Sequence, residues 1–381
     1  MRSSVLVLLP FPAAGWSSTA NPAQIEKAAS RDSYLRTRLP VAYPPKDLKD
    51  FGRFTGEVVK HYRSKGSAGL THFQILNEPV YTDYALPRQF GYGLDDYLRL
   101  LEVAYRVAKA ADPACVVVDG ISANLEAGLT LDFVKRGGLG SVDVLDLHDY
   151  DPPRSAESFE DSFAALEKTM AEHALLRAPH YRGTFAALEK TMAEHGGPKP
   201  VWMTEWGCYA DDDPPCLPWA AGDAAMNRSR WPDERAATEH IVKFTTIAFA
   251  HGVRKIFFHA GTCGPINGSD AGGVLFEYGG TPRKMYAGVA TLTRLLGVPD
   301  RFAGRRDGAG IRAYMFETGR HAVAVCWANE GATNTFSTRP LSARDMMGNP
   351  LSGSVNLNDT PVFYLEAPDV SSRTGVLRAM P

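Results

Sequence analysis

The sequence predicts an α/β fold built on a parallel sheet, followed by a smaller all-β region. Three observations lead there. Short, continuous apolar runs recur through roughly the first 300 residues, the pattern of strands buried on both faces. Segments of helical period separate them. Beyond about residue 300 the runs shorten, alternate and are broken by Gly and Asn, as in antiparallel strands.

Taken in order, SSVLVLL (residues 3–9) fits a buried strand. The longer stretch MRSSVLVLLPFPAAGW also resembles a signal peptide, with a charged start, an apolar run and small residues, although Pro10 and Pro12 interrupt it. Export is compatible with this start, and a cytoplasmic location is not excluded by it. A loop rich in Ala, Ser and Pro runs to AYPP (42–45). KDLKDFGRFTGEVVKHYR (46–63) places Leu48, Phe51, Phe54, Val58 and Val59 on one helical face. THFQILNEP follows as a strand, LDDYLRLLEVAYRVAKAAD (94–112) as a helix and CVVVDG (115–120) as a strand. LTLDFVKRGG (129–138) is a helix closed by glycines. VDVLDLHDY (142–150) and PVWMTEWG (200–207) are strands with a long helical region between them. A helix at 233–252, the strand KIFFHA (255–260) and a helix at 282–297 complete the series. Strands alternating with helices in this way form a barrel or a doubly wound sheet. IRAYMFETG, HAVAVCWANE and TPVFYLEA are the short runs of the tail. The expected organisation is therefore a catalytic-type α/β domain over residues 1–298 and an all-β domain, sandwich-like, over 299–381.

The bulk properties narrow the functional classes. Lys plus Arg is 41 against 43 for Asp plus Glu, a net charge of −2, which gives no electrostatic footprint for nucleic acid or an anionic membrane surface. No apolar stretch approaches the roughly 20 residues of a membrane helix. Five cysteines do not make a disulfide scaffold. Cys208 and Cys216 are spaced to close a short loop or to remain a reduced pair. Asn227, Asn267 and Asn358 begin N-x-Ser/Thr sequons, which matter only in a glycosylating host.

FAALEKTMAEH occupies residues 163–173 and recurs, unchanged, at 185–195. Eleven identical residues mark a tandem duplication of about one helix rather than a repeat array, which needs several copies. The second copy abuts GGPKPVW, so it is expected to be the helix packed before the next strand, with the first in an added hairpin.

Two acids end strand-like runs. Glu78 closes FQILNEP and Glu205 closes VWMTEWG. In a parallel barrel the side chains at the carboxyl ends of the strands point into the reaction site. Two carboxylates so placed are what glycosidic cleavage needs, one to protonate the leaving oxygen and one to attack the anomeric carbon or activate water. HDYD (148–151) has the look of a metal site, but no His, Cys or Asp cluster has ligand spacing, so no metal or organic cofactor is implied.

LNEP together with TEWG resembles the retaining glycoside hydrolases of clan A, which are (β/α)8 TIM-type barrels. LPFPAAGW, YPPKDLKDFGRFTGEVVKHYR, LHDY and GTPRKMYAGVATL resemble family 39 within that clan, the group of β-xylosidases and α-L-iduronidases. The resemblance implies that Glu78, after strand four, is the acid/base and Glu205, at the end of strand seven, the nucleophile, acting on β-type glycosidic bonds of an oligo- or polysaccharide. The two strands counted between them, CVVVDG and VDVLDLHDY, fit that numbering. Asn77 is then expected to donate to the sugar 2-hydroxyl, a bond that tightens in the transition state. Tyr150 or His148 should give Glu205 a hydrogen bond, and apolar neighbours with the second carboxylate should raise the pKa of Glu78. Trp16, Trp206, Tyr81 and Tyr84 lie just beyond strand ends, placed for sugar stacking or for packing. The clan often carries a Trp at the end of strand eight. Phe258 or His259 stands there instead.

Only one strand precedes Glu78, so six barrel strands are expected, corresponding to the third through eighth. A barrel lacking two strands exposes two edges, which a second copy in a homo-oligomer would cover. Two further readings follow from this sequence: a catalytically impaired carbohydrate-binding relic of the same fold, and a metal-dependent hydrolase.

Overall fold

The computed structural model describes residues 5–8, 18–31, 33, 35–66, 70–124, 128–150, 152–176, 199–210, 212, 230–259, 274–277, 281–308, 310–319, 321–329, 331–332, 334–337, 342–357 and 363–367. The chain divides into two compact units, Met1–His148 with Ala165–Trp202, and Asp149–Ala164 with Met203–Pro381.

In the first unit β1 (Val5–Leu8), β2 (His72–Ile75) and β3 (Val116–Val118) pair in parallel in that order. A parallel bridge from Val118 to Val144 leads to β4 (Leu145–Asp149). Strands β4, β5 (Val201–Trp206) and β6 (Val253–Phe258) follow in the same order, and the division between the units passes through β4 and β5. Among the described residues there are thus six strands in the α/β region, the number expected. All five residues of β4 are buried, as parallel strands covered on both faces should be.

The helices between them are α1 (Pro22–Ala29), α2 (Leu35–Arg38), α3 (Leu48–Arg63), α4 (Leu94–Ala111), α5 (Gly128–Lys135), α6 (Glu160–Leu176), α7 (Glu234–Ala250) and α8 (Lys284–Leu295). The first falls where a loop was expected. Asn21 accepts hydrogen bonds from Ala23 N and Gln24 N, Pro22 opens the first turn, and Ile25, Ala28 and Ala29 are buried. These are the capping residue, N1 proline and apolar spacing of a short helix.

Helix α3 departs from its expected face. Its buried residues are Phe51, Gly52, Thr55, Gly56 and Val59, whereas Phe54 is exposed. A Cβ on Gly56 would lie 2.9 Å from Val107 Cγ1, and one on Gly52 would lie 3.2 Å from Val103 Cγ1. Close approach of α3 to α4 through small residues fixed the face, and the large apolar side chain turned outward. α4 itself follows its pattern, with Tyr97, Leu100, Leu101, Ala104, Ala108 and Ala111 buried.

Residues 163–173, the first copy of the duplicated segment, form part of α6, and Phe163, Leu166 and Met170 are buried. Phe163 stacks on His251, ring centroids 5.6 Å apart. The first copy is therefore a packed helix; the chain that would complete a hairpin with it lies outside the described residues. The second copy lies outside the described residues.

After α8, with the expected boundary at 298/299 falling in the connection, come β7 (Arg301–Gly308), β8 (Ile311–Glu317), β9 (Ala322–Ala328), β10 (Asn334–Ser337), β11 (Ser342–Asp345), β12 (Pro350–Leu351), β13 (Ser354–Leu357) and β14 (Phe363–Ala367). Six of them form an antiparallel sheet in the order β12-β11-β14-β9-β8-β7, and β10 pairs with β13. Alternate residues of β8 and β9, with Ala343 and Leu357, make an apolar core on one face. On the other face Tyr314 stacks on Trp327, whose indole donates to Glu157 at 2.6 Å. Cys115, Cys208 and Cys326 are buried free thiols, so Cys208 is not the half of a bridge. Cys216 and the three sequons lie outside the described residues. Among the described residues no helix is long and apolar enough to cross a membrane.

Candidate active site

The first unit builds the surroundings of Glu78. Strand β2 ends at Ile75, and the next residues turn sharply, with positive φ at Leu76 (65°), Glu78 (49°) and Val80 (77°). Bulky residues reach this region only under strain, and such strain concentrates at ligand and catalytic sites. The turn is held at three points. Glu78 N donates to Gly120 O at 2.9 Å, Thr82 Oγ1 donates to Glu78 O at 2.6 Å, and Val80 N donates to Ala85 O at 2.9 Å. Gly120 is required for this contact, because a Cβ there would lie 2.1 Å from Ile75 O and 2.3 Å from Leu76 O. Asn77 is half-buried beside it.

The Glu78 side chain is 14% exposed, and His148 Nδ1 stands 2.8 Å from its Oε1. His148 was expected to line the site with Glu205 as one possible partner; its bonded carboxyl is Glu78. Behind His148 lies a buried polar group. Asp146 Oδ2 accepts from Ser122 Oγ at 2.6 Å and from Gln74 Nε2 at 3.2 Å, and stands 3.5 Å from His148 Nε2. Asp119 accepts from the backbone N of Asp146 and of Ile121, at 2.5 and 2.8 Å. Burial, and then the neighbouring Asp146 charge, push the Asp119 pKa up to about 8. Tyr97 Oη bridges the same region, donating to Ile75 O at 3.1 Å and accepting from Gly120 N at 2.6 Å.

Tyr81 is 40% exposed, and its hydroxyl donates to Ser122 O at 2.8 Å. Its ring is thus anchored through the hydroxyl while the residue stays partly exposed. Tyr84 lies beneath the Arg38 guanidinium, 4.4 Å from ring centroid to Cζ.

The second unit builds the surroundings of Glu205. Tyr150 Oη donates to Glu205 Oε2 at 2.6 Å, as expected. Gly207 makes room for that ring, since a Cβ there would lie 2.5 Å from Tyr150 Cδ1. Tyr150 meets His259 edge to face at 5.3 Å, and His259 Nδ1 is 2.8 Å from Tyr209 Oη. His259 N donates to Trp206 O at 3.0 Å, which sets it just past the end of β6. Trp206 is placed differently from its neighbour Glu205. Side chains alternate across a strand, so Trp206 turns to the other face, where it stacks on Phe244 at 4.4 Å and meets Phe258 at 5.4 Å. At 2% exposure it belongs to the packing beneath α7 rather than to a stacking platform. Trp16 lies outside the described residues.

Asp119, Asp146, Gln74, Ser122 and Tyr209 were not anticipated. The alternation of β4 carried a signal for one of them, since Asp146, His148 and Tyr150 fall two apart in DLHDY.

No family model matches the chain, and no curated protein matches it by sequence. Solved structures do match. A family 39 glycoside hydrolase from the gut symbiont Bacteroides cellulosilyticus WH2 superposes with a TM-score of 0.61 at 15% identity, over 96% of this chain and 75% of that one. The family 39 enzyme from Xanthomonas axonopodis pv. citri gives 0.52 at 14% identity, over 86% and 74%. A family 30 endoxylanase from Clostridium papyrosolvens C71 gives 0.51 at 12%, over 87% and 74%. These likenesses establish the fold: the chain is built as glycoside hydrolases of families 39 and 30 are built.

Proposed function

We propose that the protein is a glycoside hydrolase that cleaves β-type glycosidic bonds with retention, Glu78 serving as acid/base and Glu205 as nucleophile. The observation that carries this reading is the pair of ring contacts made by one strand exit. His148 and Tyr150 are alternate residues, and His148 meets the carboxyl of Glu78 while Tyr150 donates to that of Glu205. The six parallel strands correspond, on this reading, to the third through eighth of a (β/α)8 barrel.

The chemistry assigns each group a step. Glu78 protonates the glycosidic oxygen as Glu205 attacks the anomeric carbon, giving a glycosyl ester. Glu78 then takes a proton from water as water displaces Glu205. The short bond from Tyr150 orients the Glu205 carboxyl toward its task. Tyr81 supplies a ring face, and His259 a polar group at the end of β6, to an oligo- or polysaccharide.

Aryl β-glycosides test the reading. Glu205→Ala is expected to abolish turnover and azide to restore it as the glycosyl azide. Glu78→Ala should slow substrates with poor leaving groups by about 10²–10⁴-fold, the usual contribution of a positioned acid, and activated aryl substrates far less. Sugar-dependent stabilisation with no turnover of any glycoside by the intact protein would instead support the carbohydrate-binding relic. Turnover abolished by a chelator would point to metal-dependent hydrolysis.

A further inference from the structure

Behind Glu78 lies a set of buried carboxyls that the two-glutamate reaction does not use. His148 is 3% exposed, and both of its ring nitrogens face carboxyl oxygens, Nδ1 at 2.8 Å from Glu78 and Nε2 at 3.5 Å from Asp146. A neutral imidazole has one N–H and one lone pair, whereas an imidazolium donates from both nitrogens. Once Glu78 has given up its proton both partners are carboxylates, and only the imidazolium has a donor for each. Burial by itself drives the ring toward the neutral form, so its charge needs a buried counter-ion.

Asp146 has that position. It is fully buried, and its Oδ2 already accepts from Ser122 and Gln74, two neutral donors. Asp119, equally buried, receives two backbone N–H groups and meets the Asp146 charge. Two carboxyls this close in a dry site do not both ionise. Of the two, Asp146 is the one that faces His148, its Oδ2 standing 3.5 Å from Nε2. Tyr97 of α4, also in this cluster, is kept neutral by burial and by the Asp119 charge when it forms.

Building on the glycosidase reading, we propose that the buried Asp146 is the counter-ion that keeps His148 an imidazolium, and that His148 thereby acts as a positioning residue for Glu78. When the Glu78 O–H bond breaks, its electron pair stays on the carboxylate and the proton joins the glycosidic oxygen. The new carboxylate charge forms against an imidazolium instead of in an uncompensated pocket. In the second half-reaction water returns the proton to Glu78. His148 and Asp146 gain and lose no proton over the cycle.

The test is the titration of His148 in the intact protein by ¹⁵N NMR, its signals identified by their loss in His148→Gln. The ring is expected to remain doubly protonated about 1–3 pH units above its ordinary value near 6.5, the effect of an adjacent opposite charge. Asp146→Asn is expected to bring the titration down by a similar interval. It should also slow glycosides with poor leaving groups more than activated aryl glycosides, because only the former need the proton. A wild-type His148 that is neutral at pH 6 overturns the proposal, as does an unchanged titration in Asp146→Asn. The wild-type titration decides even if that variant does not fold. The ring signal needs no substrate, so an absence of turnover would sink the glycosidase reading without being mistaken for the failure of the counter-ion.

Discussion

His240 is surrounded by rings: Trp231 at 4.3 Å, Phe244 at 5.7 Å, Trp206 at 5.8 Å and Phe159 at 6.2 Å. Burial pushes its pKa down to about 3; the Glu157 charge opposes this, and Lys243 and Arg154 reinforce it. The folded protein thus refuses a proton that the unfolded chain accepts near pH 6.5. Below that pH the unfolded state binds more protons, so the stability this residue contributes is full above about 6.5 and is lost progressively as the pH falls toward 3. His240→Phe, which keeps a ring and cannot be charged, is expected to flatten the acid side of the stability curve, measured as the denaturant midpoint between pH 4 and 7. An unchanged slope would show that other groups set the acid limit. At the same scale, the candidate site was half legible in the sequence. Glu78 and Glu205 stood out because each ends an apolar run inside a short motif. Asp119, Asp146, Gln74 and Ser122 did not, because they come from three separate stretches of chain that meet only once β2, β3 and β4 are laid side by side.

At the scale of the element, the turn after β2 depends on a neighbour. Gly120 follows β3, and its missing side chain is what lets Leu76 and Glu78 adopt positive φ against it. The obstacle to a Cβ is backbone oxygen, which cannot rotate away. Gly120→Ala is expected to destabilise the protein by at least about 1–3 kcal/mol, the range for overpacking a tight site, and to lower activity by displacing Glu78. A denaturation curve and a substrate assay on the same preparation would separate the two effects. A variant of wild-type stability would mean that the turn is not held by this contact. Elements with mostly buried runs, β2 to β5 above all, could be read from the sequence because burial on both faces leaves little choice of residue. The face of α3 could not. It was selected by Gly52 and Gly56 fitting against Val103 and Val107, a property of two helices together. Helix α1 was missed for the opposite reason, since its signals were only one cap, one proline and three small or apolar residues.

At the scale of the whole molecule, the duplicated segment was legible as a tandem repeat in the sequence, and its first copy is a helix. Identical copies carry no residue-level information about which one packs. Phe163, Leu166 and Met170 of α6 are buried, and Phe185, Leu188 and Met192 repeat them along the chain. Deleting residues 163–184 joins Ser162 to the second copy and leaves one complete helix before GGPKPVW. That shortened chain is expected to unfold cooperatively with a secondary-structure content like that of the full chain, measured by circular dichroism. A collapsed or aggregated product would show that the two copies are not equivalent. The equivalence has an effect on how the protein withstands mutation. If the copies are equivalent, Leu166→Asp is expected to destabilise the full chain less than the corresponding change destabilises the shortened one, measured by denaturation. A shortened chain that folds would make the repeat a form of insurance, a spare of a part whose loss the protein could otherwise not absorb.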